Sequence, residues 1–202
     1  MSATEQPSDE DLIARIGRGD RDGFAELYRR RRSDVYRFAL LMSGSPPTAD
    51  DVTQDVFVEV IHHANRYRRG RSGVVAWLFG IARNCVRRSQ QRHRPSVPLG
   101  DAQSAEPQPF AVEDDPLAGL ARREHVAALR RAVLELPVAY REAIVLCDLQ
   151  ELSYADAAAV LNCAVGTVRS RLHRGRALLR QELTKRNATV ASFSADAKRS
   201  RG

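Results

Sequence analysis

Apolar positions recur at helical spacing along most of the chain. Phe24, Leu27, Tyr28, Val35, Phe38, Leu41 and Met42 mark one face of a helix over about Gly23 to Met42. Pro46-Pro47-Thr48 breaks that run and suits the first turn of the next helix, where the missing N–H of proline is no loss. That helix, about Ala49 to Ala64, carries Val52, Val56 and Val60 on one face. Another is predicted over about Val74 to Arg92, with Trp77, Leu78, Ile81 and Cys85 on its apolar side. Further helices are expected at about Leu117–Glu135, Val138–Asp148, Tyr154–Leu161 and Gly166–Lys185. Leu136-Pro137 separates the first two of these, and Ser153 is placed to cap the third.

Between the two helical groups the composition changes. Pro95 to Ala121 holds Pro95, Pro98, Pro107, Pro109 and Pro116, no Lys or Arg, and the acids Asp101, Glu106, Glu113, Asp114 and Asp115. Such a stretch reads as an extended, flexible linker. The expected organisation is all-α, two small helical domains on a tether. Its parts are an N-terminal tail (1–10), a first domain (11–94), the acidic linker (95–121), a second domain (122–185) and a basic, disordered tail (186–202).

Charge sharpens this picture only when it is resolved along the 202 residues. Lys and Arg total 32 against 25 Asp and Glu, a formal net charge of +7. That excess alone fits a nucleic-acid binder and an unrelated basic protein equally well. All the basic residues are arginine except Lys185 and Lys198. Guanidinium suits bidentate contacts to phosphate and guanine, although GC-rich coding would enrich arginine too. Hydrophobic residues make up 43%, enough for a core, which excludes global disorder. No apolar run is long enough to span a membrane, and Met1 to Asp11 lacks the apolar stretch of a secretory signal. Cys85, Cys147 and Cys163 are odd in number and far apart, which favours a reducing cytoplasm over a disulfide framework or a zinc site. No cofactor or metal is expected.

The C-terminal helices have a helix-turn-helix layout. Ser153 to Leu161 is a short, alanine-rich helix, Asn162-Cys-Ala-Val165 a tight break, and Gly166 onward a longer basic helix. On that last helix Val168, Leu172, Leu179 and Leu183 should face the core, while Arg169, His173, Arg176 and Arg180 form a stripe at steps of four, three and four. Arg169, Ser170, His173 and Arg174 are candidates for base or near-base contacts in duplex DNA. Thr167, near the helix start, and Arg171, Arg176 and Arg180 are candidates for phosphate. An ordinary solvated basic face would carry the same charges. The preceding helix and turn favour DNA.

The N-terminal domain segregates its charge. Asp50, Asp51, Asp55 and Glu59 make one helix acidic, with Gln54 and Val58 beside them, a face suited to a basic protein partner or simply to water. The next segment is the opposite. Asn65 to Gly73 carries Arg66, Arg68, Arg69 and Arg71 around Tyr67, and the helix after it carries Arg83, Arg87, Arg88 and Arg92 with no acid. Arginines interleaved with aromatics suit a single strand, the cations tracking its backbone while a ring or pocket takes an unstacked base. Trp77 fits a core position as well as a base platform. Asn84 fits a capping role or base reading.

Together these residues resemble an extracytoplasmic-function (ECF) sigma factor of the sigma-70 superfamily. Sigma region 2 is similar to Asp11–Arg94, notably Gly19-Asp-Arg-Asp-Gly-Phe-Ala-Glu-Leu-Tyr28, Ala49-Asp-Asp-Val-Thr-Gln-Asp-Val-Phe57 and Ala76-Trp-Leu-Phe-Gly-Ile-Ala-Arg-Asn84. Region 4 is similar to Leu129–Glu182, notably Leu136-Pro-Val-Ala-Tyr-Arg-Glu-Ala143 and Val165-Gly-Thr-Val-Arg-Ser-Arg-Leu-His-Arg-Gly-Arg176. The resemblance implies recruitment of core RNA polymerase to promoter DNA. Asp51, Gln54, Asp55 and Val58 would meet the clamp coiled coil of the largest polymerase subunit, and region 4 the flap of the second subunit. Asn65, Arg66, Tyr67, Arg68, Arg69, Arg71, Trp77, Arg83, Asn84, Arg87 and Arg88 would melt and capture the minus-ten non-template strand. Thr167, Arg169, Ser170, Arg171, His173, Arg174 and Arg176 would read the minus-thirty-five duplex. The five linker acids would enter the polymerase channel, where a negative chain can mimic a nucleic-acid backbone. An anti-sigma factor is an implied partner, and no membrane contact of the chain's own is implied.

Two other classes compete with this one. A stand-alone helix-turn-helix regulator would bind duplex DNA without polymerase, and leaves the acidic helix and the arginine-rich loop unexplained. An enzyme would need a phosphate-cradling glycine loop or a carboxylate cluster at metal-ligand spacing, and neither motif stands out.

Overall fold

The computed structural model describes residues 6–70, 73–92 and 116–199, with side chains for all of these except 116–124 and 186–199. Arg71 and the linker acids Asp101, Glu106, Glu113, Asp114 and Asp115 therefore lie outside the described residues. Those described form helices and turns, with no strand among them.

The first unit is four helices: α1 (Asp9–Ile16), α2 (Arg21–Ser43), α3 (Pro46–His63) and α4 (Val74–Arg92). Each of the first three starts on a polar cap. Ser8 and Asp11 form a reciprocal capping box on α1, Asp20 accepts from the backbone N–H groups of Asp22 and Gly23 at 2.9 and 3.0 Å, and Ser45 accepts from Thr48 N–H. Helix α2 ends at Gly44, whose φ of 74° is left-handed and suits glycine. A single 3-10 turn (Ala64–Arg66) follows α3 and leads into the arginine loop. Leu12, Ile13, Leu27, Val35, Val52, Val56 and Leu78 fill the interior around Phe38 and Phe79, whose rings lie 5.3 Å apart.

The second unit comprises α5 (Pro116–Leu134), α6 (Val138–Ile144), α7 (Tyr154–Leu161) and α8 (Val165–Arg199). Helix α6 does not continue as a regular helix to Asp148. It widens into a π-turn (Val145–Leu149), with Gln150 N–H reaching Val145 O at 3.0 Å. Ser153 caps α7, and Asn162, at φ 51°, closes it in the left-handed region. Ile144, Leu146, Leu161, Val168 and Leu172 form the centre of this unit, while Leu179 is half-buried at its edge.

Three expected boundaries move. The tail assigned to residues 1–10 ends early, because α1 begins at Asp9 on its Ser8 cap. The linker assigned to 95–121 gives up its last residues to α5, whose Pro116 sits in a first turn that tolerates proline. The last helix does not stop at Lys185 but runs on to Arg199, and no glycine or proline interrupts 186–199.

The two units pack against each other through one continuous apolar core. At the seam, the Cα of Gly44 approaches Leu134 so closely that an added Cβ would lie 3.2 Å from its Cδ1. Arg141 donates to the carbonyls of Leu134 and Leu136 in its own unit and to Met42 O of the other at 3.1 Å. Burial disfavours its charged form, pulling its pKa down, and its buried Nε has no hydrogen-bond partner.

Candidate nucleic-acid interface

Helix α4 and the loop before it line a groove of about 730 Å³, and α7 forms the opposite wall. Arg66, Tyr67, Arg68, Trp77, Arg83, Asn84 and Arg87 come together there, facing Ala159, Val160 and Asn162. Trp77 is half-buried, so it serves the core and the groove at once, and its ring stands 5.4 Å from that of Tyr67. Asn84 is exposed in mid-helix and does not cap it.

Other members of the predicted set are spoken for. Arg83 is only 11% exposed and is gripped by Glu142 of the second unit, Nε to Oε1 at 2.6 Å and Nη2 to Oε2 at 3.1 Å. Its Nη1 reaches Val160 O at 3.4 Å, and Arg87 approaches Glu142 at 3.5 Å. Glu142 is 3% exposed, a buried carboxylate that satisfies its charge on two arginines of the other unit. Arg69 pairs with Asp11, and Tyr67 donates its hydroxyl to Glu10 at 3.1 Å. Burial first, then that acceptor, pushes the Tyr67 phenol up to about 12. Arg88 turns to α3, donating to Glu59 at 2.9 Å and contacting Cys85 Sγ at 3.1 Å. The Arg88 hydrogen bond holds Glu59 below its usual range.

Helix α3 presents the acidic face. Asp51 and Gln54 are exposed, Asp55 is partly exposed and lies 3.6 Å from Arg92, and Val58 is 53% exposed. Ile61, 51% exposed on the same helix, extends this face and was not among the expected residues. Its spacing of seven from Gln54 was the available signal.

On α8 the two faces separate as the spacing requires. Val168 and Leu172 are buried, Arg169, Ser170, His173, Arg174, Arg176 and Arg180 are exposed, and Thr167 and Arg171 are intermediate. Arg176 is held by both oxygens of Asp148 at 2.9 and 2.6 Å, which fixes its guanidinium at the edge of the basic face. Burial raises the pKa of the Cys85 and Cys147 thiols, Cys147 to about 11, which suits packing rather than thiolate chemistry. Among the described residues no group of His, Cys, Asp or Glu is arranged to hold a metal ion, and no helix is long and apolar enough to cross a membrane.

The basic wall of the groove belongs to a stretch, residues 27–95, that matches the model of sigma-70 region 2, and the helix-turn-helix, with the opposite wall, to one, residues 127–179, that matches sigma-70 region 4. The ECF RNA polymerase sigma factor SigM of Mycobacterium tuberculosis (strain H37Rv) is 36% identical over 185 residues, covering 91% of this chain and 88% of that protein. The chain belongs to the ECF sigma factors of the sigma-70 family. SigE of Mycolicibacterium smegmatis is 35% identical over 172 residues, and the match spans 82% of this chain and 63% of SigE. Two solved structures share the fold. CnrH, determined with the cytosolic domain of CnrY, superposes with a TM-score of 0.67 at 27% identity over 89% of this chain and 99% of its own. The sigma factor RpoE of Bartonella quintana, determined with the anti-sigma factor NepR, superposes with a TM-score of 0.63 at 28% identity over 80% of this chain and 96% of its own. Sigma factors are transcription initiation factors rather than enzymes. Within this ECF factor, α1 precedes the region 2 match, and Glu142 lies inside the region 4 match although its ion-pair partner, Arg83, lies in region 2. Sequence reasoning missed Glu142, since nothing in Tyr140-Arg-Glu-Ala143 marks that acid as buried.

Proposed function

We propose that this chain directs core RNA polymerase to promoters in the bacterial cytoplasm through two DNA-reading surfaces and one polymerase-binding face. Region 4 reads the minus-thirty-five duplex with Arg169, Ser170, His173 and Arg174, while Thr167, Arg171 and Arg176 hold phosphates. Region 2 captures the melted minus-ten non-template strand along the α4 groove, with Trp77 and Tyr67 beside an unstacked base, Asn84 at a base edge and Arg66, Arg68, Arg83 and Arg87 on the backbone. Arg69, Arg71 and Arg88 complete the set that binds this strand. Asp51, Gln54, Asp55 and Val58 meet the clamp coiled coil of the largest subunit, and region 4 the flap of the second. The linker acids Asp101, Glu106, Glu113, Asp114 and Asp115 occupy the polymerase channel.

The observation that carries this reading is the α8 geometry: an exposed row of Arg169, Ser170, His173 and Arg174 opposite a buried Val168–Leu172 face, in a chain of the sigma family. The two neighbours solved with partner chains support control of this chain by an anti-sigma factor. The test is purified chain plus core polymerase and a promoter library. Promoter-specific initiation that requires the chain is expected, with loss of minus-thirty-five preference in Arg169→Ala and Arg174→Ala. Failure to bind core polymerase would overturn the reading and leave a stand-alone duplex-DNA regulator.

A further inference from the structure

Helix α1 lies ahead of the region 2 match, which begins at residue 27. It nevertheless holds the arginine loop at three places. Asn65 packs over Gly17, where an added Cβ would fall 2.3 Å from Asn65 Oδ1. Tyr67 donates to Glu10 Oε1 at 3.1 Å. Arg69 pairs with Asp11 and lies 3.7 Å from Glu10 Oε2. Tyr67 in turn stands against Trp77 and lines the groove with it.

If the loop served only to attract phosphate, two carboxylates beside it would work against it. Their hydrogen bonds do something else: they hold Tyr67 and Arg69 in place in the folded protein. Ordering a loop during binding costs affinity and blurs selectivity, and ordering it beforehand removes that cost.

We propose that α1 is a splint for strand capture, with Glu10, Asp11 and Gly17 as positioning residues that set the Tyr67–Trp77 wall of the groove before DNA arrives. The proposal rests on the reading of α4 and its loop as the minus-ten capture surface. It makes two effects of the acids opposite in sign. Removing them strengthens attraction for any strand and weakens discrimination between strands.

The experiment uses full-length chain bound to core polymerase on a promoter library randomised across the minus-ten element, with transcribed templates sequenced. Glu10→Ala is expected to reduce enrichment of the preferred minus-ten sequences about fivefold, the worth of one hydrogen bond, without reducing initiation from the unselected pool. Glu10→Gln, which still accepts from Tyr67, retains most of the enrichment. Gly17→Val changes no charge and lowers the enrichment by displacing Asn65. Should Gly17→Val fail to fold, the Glu10 pair decides alone. Wild-type enrichment in Glu10→Ala, with enrichment lost in Trp77→Ala and Asn84→Ala, would overturn the splint and leave the capture surface standing. Wild-type enrichment in Trp77→Ala and Asn84→Ala as well would overturn the capture surface, and the splint with it.

Discussion

Glu142→Ala is the most informative single change at the domain seam. In the closed arrangement it leaves Arg83, 11% exposed, with no carboxylate, and strips the partner from Arg87. Removing one side of a buried ion pair costs about 3–5 kcal/mol when the other side must stay buried. A second response is predicted: region 2 and region 4 separate and return Arg83 to water. Opening forfeits the remaining seam, including the Arg141 bond to Met42 O and the packing of Leu134 on Gly44. The apolar core that joins the units opposes opening, but each unit keeps its own interior, so the lost energy is expected to appear as opening rather than as unfolding. The closed-to-open ratio should fall by about two orders of magnitude or more. Small-angle scattering would read this as an increased radius of gyration. Amide exchange would read it as faster exchange at the seam, in α4 and α7 and where α2 meets α5 and α6, with α1 and α3 unchanged. A double-mutant cycle with Arg83→Ala should show strong coupling, the second change adding little once the first is made. An unchanged scattering profile together with a lowered melting temperature would refute the reasoning, because it would show that the pair stabilises the protein without holding the seam.

Other outcomes follow from the same structure. Gly44→Ala places a Cβ on a residue at φ 74° and 3.2 Å from Leu134, and should lower stability by about 1–2 kcal/mol in denaturant titration, less when combined with Leu134→Ala. Asp148→Asn should release Arg176 and raise affinity for minus-thirty-five duplex, measured by fluorescence anisotropy. The same change should alter stability by less than about 1 kcal/mol, since the pair is 49% and 26% exposed. At alkaline pH, Cys147 and Tyr67 keep their protons in the fold past the pH at which the unfolded chain releases them. The folded state then binds more protons, so stability falls from about pH 9 to about 11 for Cys147 and from about pH 10 to about 12 for Tyr67. Tyr67→Phe should remove the upper step from a plot of unfolding free energy against pH.

The legible parts of the fold are those with local punctuation. Helices α4 and α7 run over the residues their patterns predict, and Ser153 caps α7 as its side chain suggests. Helix α1 escaped notice because Asp9, Glu10 and Asp11 look like a polar tail, although they occupy the first turn, where acids favour a helix. The widening of α6 leaves no mark in composition, because a π-turn is set by packing rather than by side-chain preference. The basic face of α8 could be read from spacing, since one helix contains it. The closure of Glu142 on Arg83 spans 59 residues and two domains, and no periodicity carries such a contact. For the same reason the sequence distinguished which residues are basic, but not which of them already hold an internal acid, as Arg69, Arg83, Arg88 and Arg176 do.

That internal pairing bears on how the protein exchanges ions when it meets a strand. An arginine facing water lets a bound phosphate shed its condensed counterion, and each such contact steepens the salt dependence of single-strand binding by about 0.7 in log–log slope. Were Arg83 to bind the strand as proposed, it would start differently, because it would first have to give up Glu142, and the vacated carboxylate would recruit a cation from solution. The cation released from the nucleic acid would thereby be taken up again by the protein. A salt titration of minus-ten capture by the closed chain would count fewer phosphates than the arginines that touch them.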